Sequence, residues 1–424
     1  MTDGPSPSGA AAPLLCRVPL LSKLKFLCLH VFCALVDLVL RLTRILSCAQ
    51  PSTGAAAAYG SLKAKAFFQL DRLDKMPYTD PPYNGHVSTI LCAFRPHRNI
   101  PYQRVVHPGA DGNLMCLDWF LTDSPTAKGV FLIIPGLASW SGTNYIEHFV
   151  WFAFINHFHC AVFNSRGMGN TPISTPRLMS GKWTDDLRAV VRDGPFSRAA
   201  IEERCGAGIA IIGVGFSLGG VILSKYVGEE CLAGREPVMD AVMVVNSPLN
   251  CLHCNDIMNR RISKVIYQPS MTAGLTAYAR RHAKILKHLP GLSPDVRSAL
   301  GSGCLEKVLS QIKTVRDFDH FITAPTLGFA NPEDYYRHIS PIEWLPHFSI
   351  PVLCISAADD TITDEPPMAN LAKIMCFNPN VALLVLPHGG HLGYIRNVWD
   401  EWVGTETVME RIIYQVAASI THRC

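Results

Sequence analysis

Charged side chains are scarce in this 424-residue chain: Asp, Glu, Lys and Arg make up 17% of it, against about 25% in an ordinary soluble domain. With 48% apolar residues, that shortage excludes a globally disordered chain and leaves ample material for a large core. A strong charge of one sign is also missing. The net charge is +4 and the isoelectric point is near 8.3. A nucleic-acid face wants clustered basic residues and a pI above about 9, so no nucleic-acid partner is expected. There is no internal repeat, which excludes solenoids and propellers. The 15 cysteines lack the even, regular spacing of a disulfide framework in a short secreted chain. The one close pair, Cys251-Leu-His-Cys254, has no second pair to complete a zinc site. Neither a metal nor a cofactor is expected. No apolar run reaches the roughly 20 residues of a spanning helix. No small-residue cleavage site follows the longest run, as a secretory signal requires.

What is present begins at the N-terminus. Residues 1–19, rich in Pro, Gly, Ser and Ala at their start, are expected to be disordered. Residues 20–47 contain an almost wholly apolar run over 26–40, broken by His30 and Asp37. Lys23, His30, Asp37, Arg41 and Arg44 are separated by 7, 7, 4 and 3. On a helix that spacing places all five on one narrow stripe. The pattern describes an interfacial helix in the headgroup plane, or a spanning helix with one polar side. An amphipathic helix packed on the protein's own core is the alternative. Association with a membrane is the expectation, at the endoplasmic reticulum or another intracellular membrane. Basic residues flank both ends, so charge bias gives no orientation. Residues 48–100 read as a linker, a short helix and an N-terminal extension.

Residues 101–424 carry a different pattern. Short apolar runs at 130–134, 160–164, 209–214, 241–245, 351–356 and 381–386 are bounded by turn residues. Their length and unbroken apolarity suit strands buried on both faces. Helical spacing between them, as at 184–192 and 221–230, predicts an α/β fold with a mostly parallel central sheet flanked by helices. In such sheets ligands bind at the carboxyl ends of the strands. Over about 248–348 the strand-like runs stop and helical, partly basic sequence takes over. An insertion of that size between two core strands predicts a helical cap above the site.

The sharpest motif follows the run at 209–214: Gly213-Val-Gly-Phe-Ser217-Leu-Gly219-Gly220. Gly-x-Ser-x-Gly between a strand and a helix is the pattern of a nucleophile elbow, a turn so tight that the flanking residues must lack a bulky Cβ. A serine hydroxyl needs an imidazole base held by a carboxylate. On this architecture the acid and then the base follow the serine, each after a later strand. Asp359-Asp360 follow the run at 351–356, and His388-Gly-Gly-His391 follow the run at 381–386. Two ambiguities result. Adjacent Asp359 and Asp360 must diverge, and Asp360 is taken as the orienting acid with Asp359 in a turn-stabilising role. His391 is taken as the base over His388, because Gly389 and Gly390 allow its backbone close to the cleft. The oxyanion donors are expected to be the backbone N–H groups of Leu218 and of Leu137, the latter in Pro135-Gly136-Leu137 after an early strand.

With these motifs stand Asn84-Gly-His86 with Thr89-Ile90, Leu117-Asp118-Trp119, Tyr145-Ile146, Asn164-Ser-Arg166-Gly167 and Gly389-Gly390-His391-Leu392-Gly393. Together, over residues 82–395, they resemble the α/β-hydrolase domain-containing lipases and esterases numbered one to three in vertebrates, with their yeast and bacterial relatives. The resemblance implies an α/β-hydrolase fold and a serine hydrolase acting on acyl esters of lipids such as monoacylglycerols or phospholipids, anchored by an N-terminal hydrophobic helix. It puts the catalytic serine on Ser217, the acid on Asp360 and the base on His391. Thr361 stands where many members have proline. Trp140 stands where many have a small residue, and it is expected to narrow the acyl pocket. Two other readings keep the same architecture: an acyltransferase passing the acyl group to an alcohol, and a non-catalytic scaffold. The scaffold's expected sign would be a missing triad member, and none is missing.

Overall fold

The computed structural model of the protein describes residues 57–70, 83–124, 126–302, 305–363, 378–395 and 406–421. Five further residues, Leu24, Lys25, Cys28, Val31 and Leu35, are described nearer the N-terminus. The expectations for 1–19, and most of that for 20–47, lie outside the described residues. Leu24, Cys28, Val31 and Leu35 are helical and exposed, and their spacing of 4, 3 and 4 sets them along one helical face. Among the described residues no helix is long and apolar enough to cross a membrane.

Nine strands run in chain order: β1 (Ala57–Gly60), β2 (Gln103–Pro108), β3 (Leu114–Phe120), β4 (Gly129–Ile134), β5 (Phe158–Asn164), β6 (Ala210–Phe216), β7 (Ala241–Val245), β8 (Val352–Ala357) and β9 (Val381–Leu386). They form one sheet in the order β1-β9-β8-β7-β6-β4-β5-β3-β2. The six apolar runs became β4 to β9, each within two residues of its expected ends, and these six pair in parallel. Their side chains are buried along their whole length. The pleat still sorts them: Val130, Leu132 and Ile134 face one core, whereas Phe131 and Ile133 face the other. Helices on both faces are what make such unbroken apolar strands stable.

Three strands had no such signal. β2 and β3 form an antiparallel edge, and β2 alternates between exposed and half-buried residues. β1 lies in the stretch expected to be a linker. Instead it adds an antiparallel edge strand to β9, with Ala57 opposite Val385. The correction has a physical origin: Ala-Ala-Tyr-Gly carries little strand propensity of its own, and pairing to a buried neighbour decides its conformation. The sheet therefore begins upstream of residue 101.

The helix Gly85–Ala93, also within the expected extension, is joined to the C-terminal helix Val408–Thr421 by a buried ion pair. Arg95 Nη1 lies 2.8 Å from Glu410 Oε1, with side-chain exposures of 0% and 1%. Glu410 also accepts the Thr407 N–H at 2.7 Å. Removing one partner of such a pair strands a buried charge. Glu410→Ala is expected to cost about 3–5 kcal/mol of stability, read from the urea midpoint, with little change in slope. A midpoint within error of the parent would refute the role given to this pair.

Between β7 and β8 the chain is helical from Cys251–Met258 to Pro332–Ile339. The longest of these helices, Gln268–Leu286, buries Leu275, Tyr278 and Ala279 against Met168, Ile173 and Leu178 of the loops beyond β5. Tyr335, Tyr336 and Ile339 pack on Val221 and Cys251. The insertion thus sits over the carboxyl ends of the central strands.

Candidate active site

Ser217 sits between β6 and the helix Leu218–Leu232 at φ 51°, ψ −122°. A non-glycine residue there is strained and persists only where its surroundings enforce it. The glycines show the enforcement. A Cβ on Gly219 would stand 2.0 Å from Ile134 O, and one on Gly215 would stand 2.6 Å from Gly220 Cα. The Ser217 N–H is held by Val245 O at 2.9 Å.

The loops after β8 and β9 bring the other two groups in. His391 Nε2 is 3.0 Å from Ser217 Oγ, and His391 Nδ1 is 2.9 Å from Asp360 Oδ2. Against an ionised carboxylate Nδ1–H donates, which leaves Nε2 as an acceptor facing the Ser217 hydroxyl. Asp360 is 5% exposed. It also accepts Asn246 Nδ2 at 2.7 Å and the N–H groups of Ile362 and Thr363 at 2.9 and 3.0 Å. Burial alone would raise its carboxyl, but the adjacent His391 and these donors outweigh burial and hold it at about 2. A folded value below the ordinary 3.8 means that ionised Asp360 stabilises the fold above about pH 4, and that this contribution is lost as pH falls toward 2. Between about pH 5 and 2.5 the unfolding free energy is expected to fall more steeply for the parent than for Asp360→Asn. Parallel denaturation curves would contradict it.

The alternative pair is also in place, with different partners. Asp359 Oδ1 accepts the N–H groups of Gly389 and Gly390 at 2.9 and 2.8 Å, and His388 Nδ1 lies 3.3 Å from Asp359 Oδ2. Asp359 shapes the loop that carries His391, while Asp360 faces the imidazole.

Asn246 and Tyr394 escaped the sequence reading. Asn246 directly follows β7 at φ 45° and is fully buried. Its Oδ1 accepts the Tyr394 O–H at 2.7 Å, which turns its amide toward Asp360. The Asn84-Gly-His86 motif caps the helix Gly85–Ala93 and clasps both loops. Thr89 Oγ1 accepts the His391 N–H at 2.8 Å. A Cβ on Gly85 would stand 1.8 Å from Asp359 O. Thr361, the departure from proline, donates to Tyr267 Oη at 2.9 Å, and Tyr267 Oη is 2.8 Å from His86 Nδ1. Burial lowers the His86 imidazole below its ordinary value, with Asp359 pulling the other way.

On the opposite side lies the loop after β4. Among the described residues the Leu137 and Leu218 N–H groups have no protein acceptor. The Tyr145 hydroxyl accepts the Gly136 N–H at 2.9 Å. Asp118 accepts Ser141 Oγ at 2.5 Å and Asn164 Nδ2 at 2.8 Å, while Asn164 Oδ1 accepts the Ser141 N–H at 2.9 Å. These bonds give the Leu-Asp-Trp and Asn-Ser-Arg-Gly motifs a shared task of holding that loop.

A cavity with about 1000 Å³ of open space, its mouth included, runs from Ser217, Leu137 and Leu218 into the insertion, bounded by Met271, Leu275 and Phe318. Trp140 does not border it, contrary to expectation. Its ring lies against Gly142 and Gly169 and lines a separate cleft with Asn170 and Arg281. Ala138, at φ 55°, turns the chain away before Trp140 is reached.

Residues 131–402 match the Alpha/beta hydrolase family. The chain is 30% identical over 385 residues to an embryogenesis-associated protein EMB8 of Picea glauca, covering 82% of this chain and 78% of that one. It is 28% identical over 330 residues to a protein named phospholipase ABHD3 of Mus musculus, covering 76% and 73%. It is 30% identical over 278 residues to a protein named monoacylglycerol lipase of Saccharomyces cerevisiae, covering 65% and 57%. With well over half of its length matched and with the sheet order and strand-to-helix elbow described above, the chain belongs to the alpha/beta hydrolase family.

Proposed function

We propose that this protein is a carboxylic ester hydrolase that cleaves acyl esters of lipids, with Ser217 as nucleophile, His391 as base and Asp360 as the group that orients the imidazole. The observation that carries the reading is the continuous hydrogen-bonded path from Ser217 Oγ through His391 to a buried Asp360. Ser217 Oγ attacks the ester carbonyl carbon as its proton passes to His391 Nε2. The Leu137 and Leu218 N–H groups stabilise the oxyanion. His391 returns the proton to the leaving alkoxide as the C–O bond breaks, which leaves an acyl group on Ser217. Water, deprotonated by the same imidazole, then releases the fatty acid and restores the serine.

Lipid esters are favoured as substrates by the largely apolar cavity beside Ser217 and by relatives named as a phospholipase and a monoacylglycerol lipase. The apolar run at 26–40 supports action at a membrane surface. The test is a turnover screen of the purified protein over p-nitrophenyl esters and monoacylglycerols of graded chain length, with a fluorophosphonate probe in parallel. Fatty-acid release and stoichiometric labelling are expected. No turnover at any length, with no labelling, would dismiss the proposal.

A further inference from the structure

The residues that follow Asp360 are held from the insertion. Asp360 Oδ1 accepts the N–H groups of Ile362 and Thr363 at 2.9 and 3.0 Å, so the carboxylate is fixed to the turn that its own chain makes next. Thr361 is the first residue of that turn after the acid. Where many of the lipases and esterases it resembles have proline, whose ring fixes φ, threonine leaves φ to its surroundings. Three side chains of the insertion supply the restraint. The Thr361 hydroxyl donates to Tyr267 Oη at 2.9 Å. The Thr361 carbonyl accepts the Ser263 O–H at 3.1 Å, and the Ile362 carbonyl accepts the Cys254 S–H at 3.3 Å.

Tyr267 reaches further. It joins the helices Arg261–Ile266 and Gln268–Leu286, is buried, and packs with Met258 and Ile362. Because its oxygen accepts from Thr361, its proton is free for His86 Nδ1, which lies 2.8 Å away. The two rings stack with centroids 5.8 Å apart. His86 belongs to the helix Gly85–Ala93, whose Thr89 Oγ1 accepts the His391 N–H at 2.8 Å. Tyr267 is thus bonded on one side to the residue next to the acid, and on the other to the helix that clasps the loop of the base.

Resting on the hydrolase reading above, we propose that Tyr267 and Ser263 are positioning residues for the reaction: they fix the turn that carries Asp360 and so set how its carboxylate meets His391 Nδ1. Without them Asp360 keeps the Asn246 amide at 2.7 Å and stays near the imidazole, but its angle is less firmly held. Small misplacements of a reacting constellation cost rate out of proportion to the stability they cost. Neither Tyr267 nor Ser263 borders the cavity beside Ser217, so the effect belongs to kcat and not to substrate binding.

The experiment measures kcat, KM and the pH profile of the full chain on a p-nitrophenyl ester. The variants are Tyr267→Phe, Ser263→Ala, Thr361→Val and the pair Tyr267→Phe with Thr361→Val. In Tyr267→Phe, which keeps the ring, kcat is expected to fall about tenfold, the scale of one buried hydrogen bond, with KM within about twofold of the parent. The acid limb of kcat/KM should move to lower pH by about half a unit, because a carboxylate held less squarely stabilises the charged imidazole less. Thr361→Val, which keeps the shape, should reproduce both changes. The pair should lose no more than either alone, since one bond joins the two residues. Ser263→Ala should lose less, about threefold. Circular dichroism and thermal melting report whether each variant is folded; should Tyr267→Phe fail to fold, Thr361→Val decides. A parental kcat in both Tyr267→Phe and Thr361→Val, a loss confined to KM, an unmoved acid limb, or losses that multiply in the pair would each overturn the positioning role while leaving ester cleavage in place. A parent that turns over no ester would overturn the hydrolase reading and the positioning role with it.

Discussion

Ser217→Ala is expected to fold like the parent and to lose ester cleavage by a factor of about 10⁴ or more, together with all fluorophosphonate labelling. The fold should survive because a Cβ is already accommodated at φ 51° and only one oxygen is removed. Activity should not survive, because among the described residues no other hydroxyl lies within hydrogen-bond reach of His391 Nε2. Asp360→Asn should act nearly as strongly, by another route. An amide can donate to His391 Nδ1 and so favour the tautomer whose Nε2 carries a proton and cannot accept one from the serine; that substitution costs about 10⁴ in kcat elsewhere. Asp359→Asn is the informative contrast. Its Oδ1 accepts two glycine N–H groups, which an amide oxygen can still do, so its loss should be far smaller. Comparable losses at Asp359 and Asp360 would show that the acid has been misassigned. Unchanged labelling of Ser217→Ala would remove the nucleophile.

Gly219→Ala is expected to disturb the fold itself. One added methyl would lie 2.0 Å from Ile134 O and 2.6 Å from Pro135 O. Both are backbone atoms, one at the end of β4 and the other in the loop that carries Leu137, so no side chain can swing aside. Either the elbow helix retreats or the loop after β4 is displaced. The expected cost is about 3 kcal/mol or more, in the upper range for overpacked sites. A fall in the melting temperature of several degrees, with loss of ester turnover even below the transition, would be its signature. A variant with parental stability and turnover would mean that the backbone at this turn is far softer than the contacts imply.

Much of this was legible from residue order. The strands β4 to β9 announced themselves because a strand covered on both faces must be apolar throughout, and that requirement is local. The elbow was readable because Gly215 and Gly220 meet within five residues, although Gly219 answers to Ile134 on β4. Asp359 against Asp360, and His388 against His391, were narrowed by motif position but not settled by spacing. Neighbouring side chains diverge, and which one points inward depends on loop dihedrals set by distant contacts.

Other features had no local signature. β1 is Ala-Ala-Tyr-Gly, a strand only because β9 offers it a ladder. Asn246 matters because Tyr394, 148 positions away, turns its amide toward Asp360. Trp140 sits in the sequence beside the oxyanion loop, yet the turn at Ala138 carries it into a separate cleft. Asp319 reads in the sequence as one acid among many in a helical stretch, and only packing sets it on the wall of the cavity beside Ser217. The chain by itself determined the alternation of strands and helices and the placing of Ser217, Asp360 and His391 each after its own strand, because apolar and turn demands act over a few residues. The tertiary structure decided which carboxylate meets which imidazole and what lines the cavity, because hydrogen bonds between loops far apart in sequence depend on where the folded backbone brings them.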